Sequence, residues 1–400
     1  MFEAVITAGK GATTMRIVTS ERLEEFRARV RAFVAERNPG PKHHSGVRAP
    51  APELVPAIRA FTADLFAAGF LGADWPVEYG GRADYDPSEA FIVAEEIAGA
   101  GTWGPIGAAT GLAAPALIEF GTPAQRAEFL PKIRSAEHLW CQLFSEPGAG
   151  SDLAGLSTRA VFDDGEWVVD GQKVWTTNGH HADIGYLLAR TNPDAPKHGG
   201  ITAFIVDMAT PGIEVRPLRE ITGTSDFNEV FLDHVRIPAD RVLGKVDDGW
   251  RVANSSLAHE RSGVAASSVE LIQRLHDLLA LGGGSSAEIG RIATKVLVSD
   301  AMSKAVQSHV LAGTEGAADA AAVKIFFSET NLALAETGLR LQGANSILAE
   351  GDPAATAEGW WQDAFLYARA YTIAGGATEV LKNVIAERAL GMPREPRRKG

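Results

Sequence analysis

The chain predicts an α+β protein in three parts, helical at both ends and β-rich in the middle. Three observations carry this. Apolar residues recur three and four positions apart toward both ends of the chain. Between residues roughly 136 and 245 the pattern changes to short β-type runs punctuated by Gly, Pro, Asp and Asn. Finally, 400 residues with 46% hydrophobic content can bury a large core, and chains of this size normally divide into two or three domains. The boundaries read as an N-terminal extension over 1–19, a helical domain over 20–135, a β domain over 136–247, a helical bundle over 248–392 and a tail over 393–400.

In the first part, residues 21–35 place Leu23, Phe26, Val30 and Phe33 on one helix face. Further helices are expected over 56–68, 87–98 and 123–130, each opened by a proline, which suits a first helical turn. Gly80-Gly-Arg82, shortly after Asp74-Trp-Pro76, reads as a loop. In the middle, 167–171, 184–188, 201–206, 213–217, 229–233 and 235–238 read as short strands, and their spacing predicts a small barrel or sandwich. The last part is Ala/Leu-rich and helical. Leu281-Gly-Gly-Gly-Ser-Ser286 interrupts it as a flexible connector between two long antiparallel helices.

Composition narrows the function. A net charge of −12 argues against nucleic acid or an anionic membrane as the main partner. No run of about 18 apolar residues is present, so no membrane-spanning helix is expected. The single cysteine, Cys141, allows no internal disulfide and fits a reducing compartment, so a cytoplasmic location is expected. Residues 1–14 lack the basic and apolar segments of a signal peptide.

Two motifs carry the chemistry. The first is Trp140-Cys-Gln-Leu-Phe-Ser-Glu-Pro-Gly-Ala-Gly-Ser-Asp152; the second is Gly171-Gln-Lys-Val-Trp-Thr-Thr-Asn-Gly179. The glycines of the first allow close backbone approach, and their N–H groups with Ser145 and Ser151 form a donor-rich nest of the kind a pyrophosphate or a ring oxygen needs. Phe227-Asn-Glu-Val-Phe231 and Val235-Arg-Ile-Pro238 follow downstream. In this order and spacing the motifs resemble the flavin-binding signature of the acyl-CoA dehydrogenase family. The resemblance covers nearly all of the chain from residue 20 and implies that family's fold: an N-terminal helical domain, a middle β-barrel domain and a C-terminal four-helix bundle.

The resemblance also implies a cofactor, FAD, and assigns residues to it. Gln142, Phe144 and Ser145 would lie along the isoalloxazine, with Gly150 and Ser151 near the phosphates or the CoA chain. Trp175 would pack against the ring, and Thr176 and Thr177 would reach N5 and its neighbours. Glu379 would reach the adenosine part, or nothing. The implied reaction removes the α-proton of an acyl-CoA thioester and moves the β-hydrogen as hydride to flavin N5. Such a proton is weakly acidic, so a carboxylate base and a donor to the developing enolate oxygen are required.

Many family members carry that base in a Tyr-Glu-Gly-Thr-like motif. The matching stretch here is Tyr371-Thr-Ile-Ala-Gly-Gly-Ala-Thr-Glu-Val380, and Gly375 stands where the carboxylate would be. Relatives resembling isovaleryl-CoA dehydrogenase place it one residue before an arginine on the helix that opens the bundle. Ser256-Leu-Ala-His-Glu-Arg-Ser262 puts Glu260 there. The resemblance therefore implies Glu260 as base, the Gly375 backbone N–H on the thioester oxygen, and Arg261, with Ser151, toward the CoA. A Glu-Arg pair on a helix surface is the plain alternative.

The chain also departs from the family. The usual Arg-x-x-Phe-Gly element, whose arginine crosses to a neighbouring subunit's flavin, has no match in 273–286, and a later Gln-x-x-Gly-Gly element is reduced to Arg340-Leu-Gln-Gly-Ala344. The expected assemblies are a homodimer or homotetramer, or a heterotetramer with a homologous chain, as in actinobacterial relatives acting on steroid side chains. An electron-transferring flavoprotein is the expected electron acceptor. Alternatives on the same fold are an acyl-CoA oxidase, a flavin monooxygenase, or a non-catalytic subunit that completes a partner's site. Gly9-Lys-Gly11 lacks P-loop spacing. The pairs His43-His44 and His180-His181 lack a third ligand at metal spacing, so no metal site is expected.

Overall fold

The computed structural model describes residues 20–260, 267–316 and 318–394, with the side chains of 258–260 and 267 outside the description. Residues 1–14, Arg261 and the tail beyond Arg394 therefore lie outside the described residues.

Five helices form the first part. α1 (Glu21–Arg37) is capped by Ser20, whose side chain accepts from the Leu23 N–H. It buries Phe26, Val30 and Val34 against α2 (Val55–Ala67) and α3 (Ser88–Gly99). A one-turn π-helical segment, Ala109–Ala113, leads into α4 (Ala114–Phe120). α5 (Pro123–Arg134) opens with a reciprocal cap between Thr122 and Gln125. The expected helix at 87–98 begins one residue later, with Pro87 as its N-cap.

The middle part is one eight-stranded sheet. Its strands are β1 (Trp140–Leu143), β2 (Arg159–Asp163), β3 (Glu166–Thr177), β4 (Ile184–Arg190), β5 (Ile201–Asp207), β6 (Ile213–Leu218), β7 (Phe227–Pro238) and β8 (Val242–Leu243). The order is β6-β7-β3-β2-β4-β5-β8, with β1 parallel to β4 off this path. The segments expected at 229–233 and 235–238 are one strand. A bulge at Asp233-His234 joins them, where His234 takes φ 52° and the pairing to β3 shifts by one residue. A second bulge lies on β3 itself, between Lys173 and Thr176.

The last part comprises α6 (Gly249–Glu260), α7 (Ser267–Leu281), α8 (Ser286–Ala312), α9 (Asp319–Gln342), α10 (Trp360–Tyr371) and α11 (Thr378–Val384). The connector between α7 and α8 runs through Gly282, Gly283 and Gly284, all at positive φ, and Ser285 caps the helix that follows. α7, α8, α9 and α10 share a core of Leu271, Leu278, Val296, Leu334 and Trp361. α6 stands apart from that bundle. It packs on β5, on the π-helical segment and on α4, and buries Val252, Ala253 and Ser256. One core thus unites α2, α4 and α5 with β1, β4, β5 and α6. No helix among the described residues is long and apolar enough to cross a membrane.

Candidate active site

Two chain segments meet at the first motif. β1 ends at Leu143, and Phe144 follows, buried, its ring edge-on to Tyr186 at 4.9 Å. Glu146 and Ala149 then exchange two backbone hydrogen bonds of 3.0 Å, closing a tight turn through Pro147 and Gly148. An added Cβ at Gly148 or Gly150 would meet nothing within 4 Å, so the open space in front of this loop accounts for them better than the protein's own packing. Gln142 and Ser145 are half-buried; Gly150 and Ser151 are exposed.

The second motif crosses behind this loop. The Val174 N–H donates to the Ser145 carbonyl at 2.9 Å. At the bulge that follows, Trp175 takes φ 60° and turns outward, 60% exposed, leaning edge-on against Phe227 at 6.1 Å. A left-handed conformation costs an L-residue roughly 1–2 kcal/mol. Strain of this kind persists where the surroundings over-determine it, and it concentrates at functional sites. Thr176 turns back inward and is fully buried, yet its Oγ1 has no hydrogen-bond partner among the described residues. Thr177 is half-buried. Asn178, also left-handed at φ 54°, is buried with an unpartnered Oδ1.

An exposed indole, a glycine loop open in front and two orphaned buried polar atoms fit a flat heteroaromatic ligand carrying a phosphate chain. Gln142, Phe144, Ser145, Gly150 and Ser151 all belong to the first segment, and Trp175, Thr176 and Thr177 to the second; the Val174 contact ties the two together.

Beneath both segments lies a buried ion pair to which the motifs alone assign no role. Lys173 is wholly buried. Its Nζ donates to Glu146 Oε1 at 2.8 Å and to the Phe144 carbonyl at 3.1 Å. The Glu146 carboxylate also accepts from the Ser157 N–H at 2.6 Å, the Ser157 hydroxyl at 2.7 Å and the Thr158 N–H at 2.9 Å. Burial pushes the Glu146 carboxyl up, but the charge and hydrogen bond of Lys173, with the Thr158 and Ser157 donors, outweigh it and hold it at about 2. Burial pushes the Lys173 ammonium down to about 8 against the pull of Glu146. One signal in the sequence points to this pair: Lys173 has the strand parity of Trp167 and Val169, both buried.

The remaining expected residues lie on other elements. Glu260 is the last residue of α6, one turn beyond Ser256, and its side chain lies outside the described residues, as does Arg261. Ser256 is buried, and its hydroxyl shares a hydrogen bond of 3.0 Å with that of Tyr186. Gly375 follows α10 in an exposed turn at φ +66°. Among the described residues its N–H has no hydrogen-bond acceptor. Glu379 is exposed in the first turn of α11, where its charge acts on Lys324.

The pair His180-His181 serves the protein's own bonding: His180 Nδ1 meets Asn228 Oδ1 and His181 Nε2 meets the Pro50 carbonyl, both at 3.0 Å. Among the described residues, one group brings three side chains of metal-ligating type within reach of each other: Asp170, Asp233 and His234.

The chain matches three family models in order. They are the acyl-CoA dehydrogenase N-terminal domain over 20–137, its middle domain over 141–235 and its C-terminal domain over 284–390. It is 37% identical over 402 residues to the acyl-CoA dehydrogenase IpdE1 of Mycobacterium tuberculosis, covering 93% of this chain and 98% of IpdE1. The chain belongs to the acyl-CoA dehydrogenase family. Acyl-CoA dehydrogenase FadE34 of the same organism is 42% identical over 336 residues, covering 82% of this chain and 46% of FadE34, so this chain spans about half of that relative's length. Among solved structures, the Tcur3481–Tcur3483 steroid ACAD superposes with a TM-score of 0.85 at 30% identity, covering 95% of this chain and 100% of the other. The ChsE4–ChsE5 complex from Mycobacterium tuberculosis follows at 0.81 and 28%, covering 95% and 100%. The family is flavin-dependent, and this chain is an oxidoreductase of the acyl-CoA dehydrogenase type.

Proposed function

We propose that this chain binds FAD between its two motif segments and introduces an α,β double bond into a bulky acyl-CoA thioester, with Glu260 as base. The observation that carries the flavin site is the stitching of the Phe144–Ser145 turn to the bulged strand, which presents Trp175 beside an open glycine loop. FAD, when bound, supplies the acceptor for the β-hydride.

The chain's residues supply the rest. The Glu260 carboxylate takes the α-proton; desolvation beside an acyl chain raises a glutamate toward the neutral range and improves it as a base. The unengaged Gly375 N–H donates to the thioester oxygen as negative charge develops there. Position 375 is unsuited to a carboxylate, because a side chain at φ +66° is strained. Arg261 and Ser151 would bind the CoA. Gln142, Phe144, Ser145, Gly150, Trp175, Thr176 and Thr177 would hold the flavin, and Glu379 would bond its adenosine part.

A bulky acyl group is supported by a relative, 30% identical, described as a steroid ACAD. The missing Arg-x-x-Phe-Gly element and the two-component names of the structural neighbours support a heterotetramer with a homologous chain, in which this chain is the catalytic one. Electrons then pass to an electron-transferring flavoprotein in the cytoplasm.

Glu260→Gln tests the base. Turnover should fall between about 100- and 10,000-fold, the range general-base catalysis supplies, while FAD affinity stays at the wild-type value. Wild-type turnover in that variant removes Glu260 from the role.

A further inference from the structure

We propose that Lys173 and Glu146 are positioning residues, whose buried ion pair clamps the 144–146 turn onto β3 and so fixes both surfaces that receive the flavin. The inference rests on the flavin reading above and goes beyond it, because neither residue touches the ligand: Lys173 is 0% exposed and Glu146 5%.

The geometry shows how the clamp works. Lys173 bonds two points on the other segment, the Glu146 carboxylate and the Phe144 carbonyl, so its ammonium fixes the turn's distance from the strand. The next residue, Val174, adds its N–H to the Ser145 carbonyl. One residue later the strand bulges and Trp175 swings out in a left-handed conformation. Lys173 and Val174 are thus the last anchored residues before the strained one. On the loop side, Ser157, Thr158 and Lys173 converge on a single carboxylate, from two further segments of the chain. Only one arrangement of loop and strand satisfies all these donors.

Stability alone does not account for the pair. A buried ion pair is often no more stable than apolar side chains of the same volume, because both charges lose their hydration. What the pair offers over an apolar contact is direction: it accepts one register of turn on strand and penalises the others.

The test compares Lys173→Met with the double variant Glu146→Gln/Lys173→Met. Three quantities are read on each protein: FAD affinity by titration of the apoprotein, thermal unfolding, and hydrogen exchange of the amides over 144–146 and 173–177. Lys173→Met should weaken FAD binding between about 10- and 100-fold, as displaced binding groups do, and speed exchange in those two segments. The double variant strands no buried charge. It should recover most of the thermal stability yet keep the weak FAD binding and the fast local exchange. Recovery of affinity and protection together with stability in the double variant overturns the inference, as does wild-type affinity in Lys173→Met. If the wild-type protein takes up no FAD, either alone or co-expressed with a homologous chain, the flavin reading fails separately. Local exchange in the double variant still decides the clamp: faster exchange confined to the two segments supports it, and wild-type exchange refutes it.

Discussion

At the residue scale, Glu146 shows how much a single carboxylate can organise. Its carboxyl sits at about 2 in the folded chain against an ordinary 4.5. The unfolded chain therefore binds the proton more readily between those values, and the stability Glu146 contributes is complete above about 4.5 and drains away as pH falls toward 2. Urea unfolding measured at intervals across this window should show a steep loss of stability in the wild type and a shallower one in Glu146→Gln. Equal slopes would mean that the carboxylate is not held by these donors. The motifs themselves were legible as residues: glycines, an aromatic and hydroxyls at fixed spacing. The roles of Lys173 and Glu146, inside the same motifs, were not, because the partner of a strand lysine becomes visible only when two segments 27 positions apart are brought together.

At the element scale, α6 matters most, because it ends at Glu260, the proposed base. Its seat is set at its first residue: an added Cβ at Gly249 would come within 2.6 Å of the Ala203 N and the Thr202 carbonyl carbon on β5. Both are backbone atoms and cannot rotate away. Gly249→Ala should therefore tilt or lift α6, reducing kcat between about 10- and 100-fold while FAD affinity is retained. Steady-state kinetics beside a flavin titration checks this, and unchanged kcat would show that the helix tolerates the shift. The longer helices were well read from sequence because their apolar periodicity is long, whereas α4, only seven residues long, was not among those expected. The strands were read less completely. β1 is four residues long and mostly buried, so it shows no alternation, and β2 exposes most of its side chains. β7 looks like two strands because Asp233 and His234 interrupt its pattern, a bulge that only the pairing with β3 reveals.

At the scale of the whole molecule, Arg48 joins the three parts. It leaves the loop between α1 and α2, is almost wholly buried, and donates to Asp226, just before β7, at 3.0 Å and to Asp363 on α10 at 2.6 Å. Its guanidinium lies 4.3 Å from the centre of the Tyr367 ring, whose hydroxyl bonds the main chain of Val47. Arg48→Met would remove the buried cation that the Asp226 and Asp363 carboxylates share. It should cost about 3–5 kcal/mol, the range for breaking a buried pair, with the midpoint of urea unfolding as the readout. A change below about 1 kcal/mol would mean that the pair is no more than a surface contact in effect. Nothing in the sequence around Arg48 announces this junction, since its partners stand 178 and 315 positions away. The division into three parts, by contrast, was legible from the change of periodicity, while the fold those parts make came from the resemblance that the two motifs carry.

The central claim is that this chain carries a working flavin site and a base of its own. The most direct measurement is the absorbance spectrum of the chain expressed alone, in the flavin region, followed by anaerobic titration with a panel of acyl-CoAs that includes steroid side-chain thioesters. A flavin band is expected, present alone or gained on co-expression with a homologous chain, that a bulky acyl-CoA bleaches and that the same substrate leaves unbleached in Glu260→Gln. A protein that holds no flavin in either setting, or whose flavin band no acyl-CoA bleaches, would contradict it.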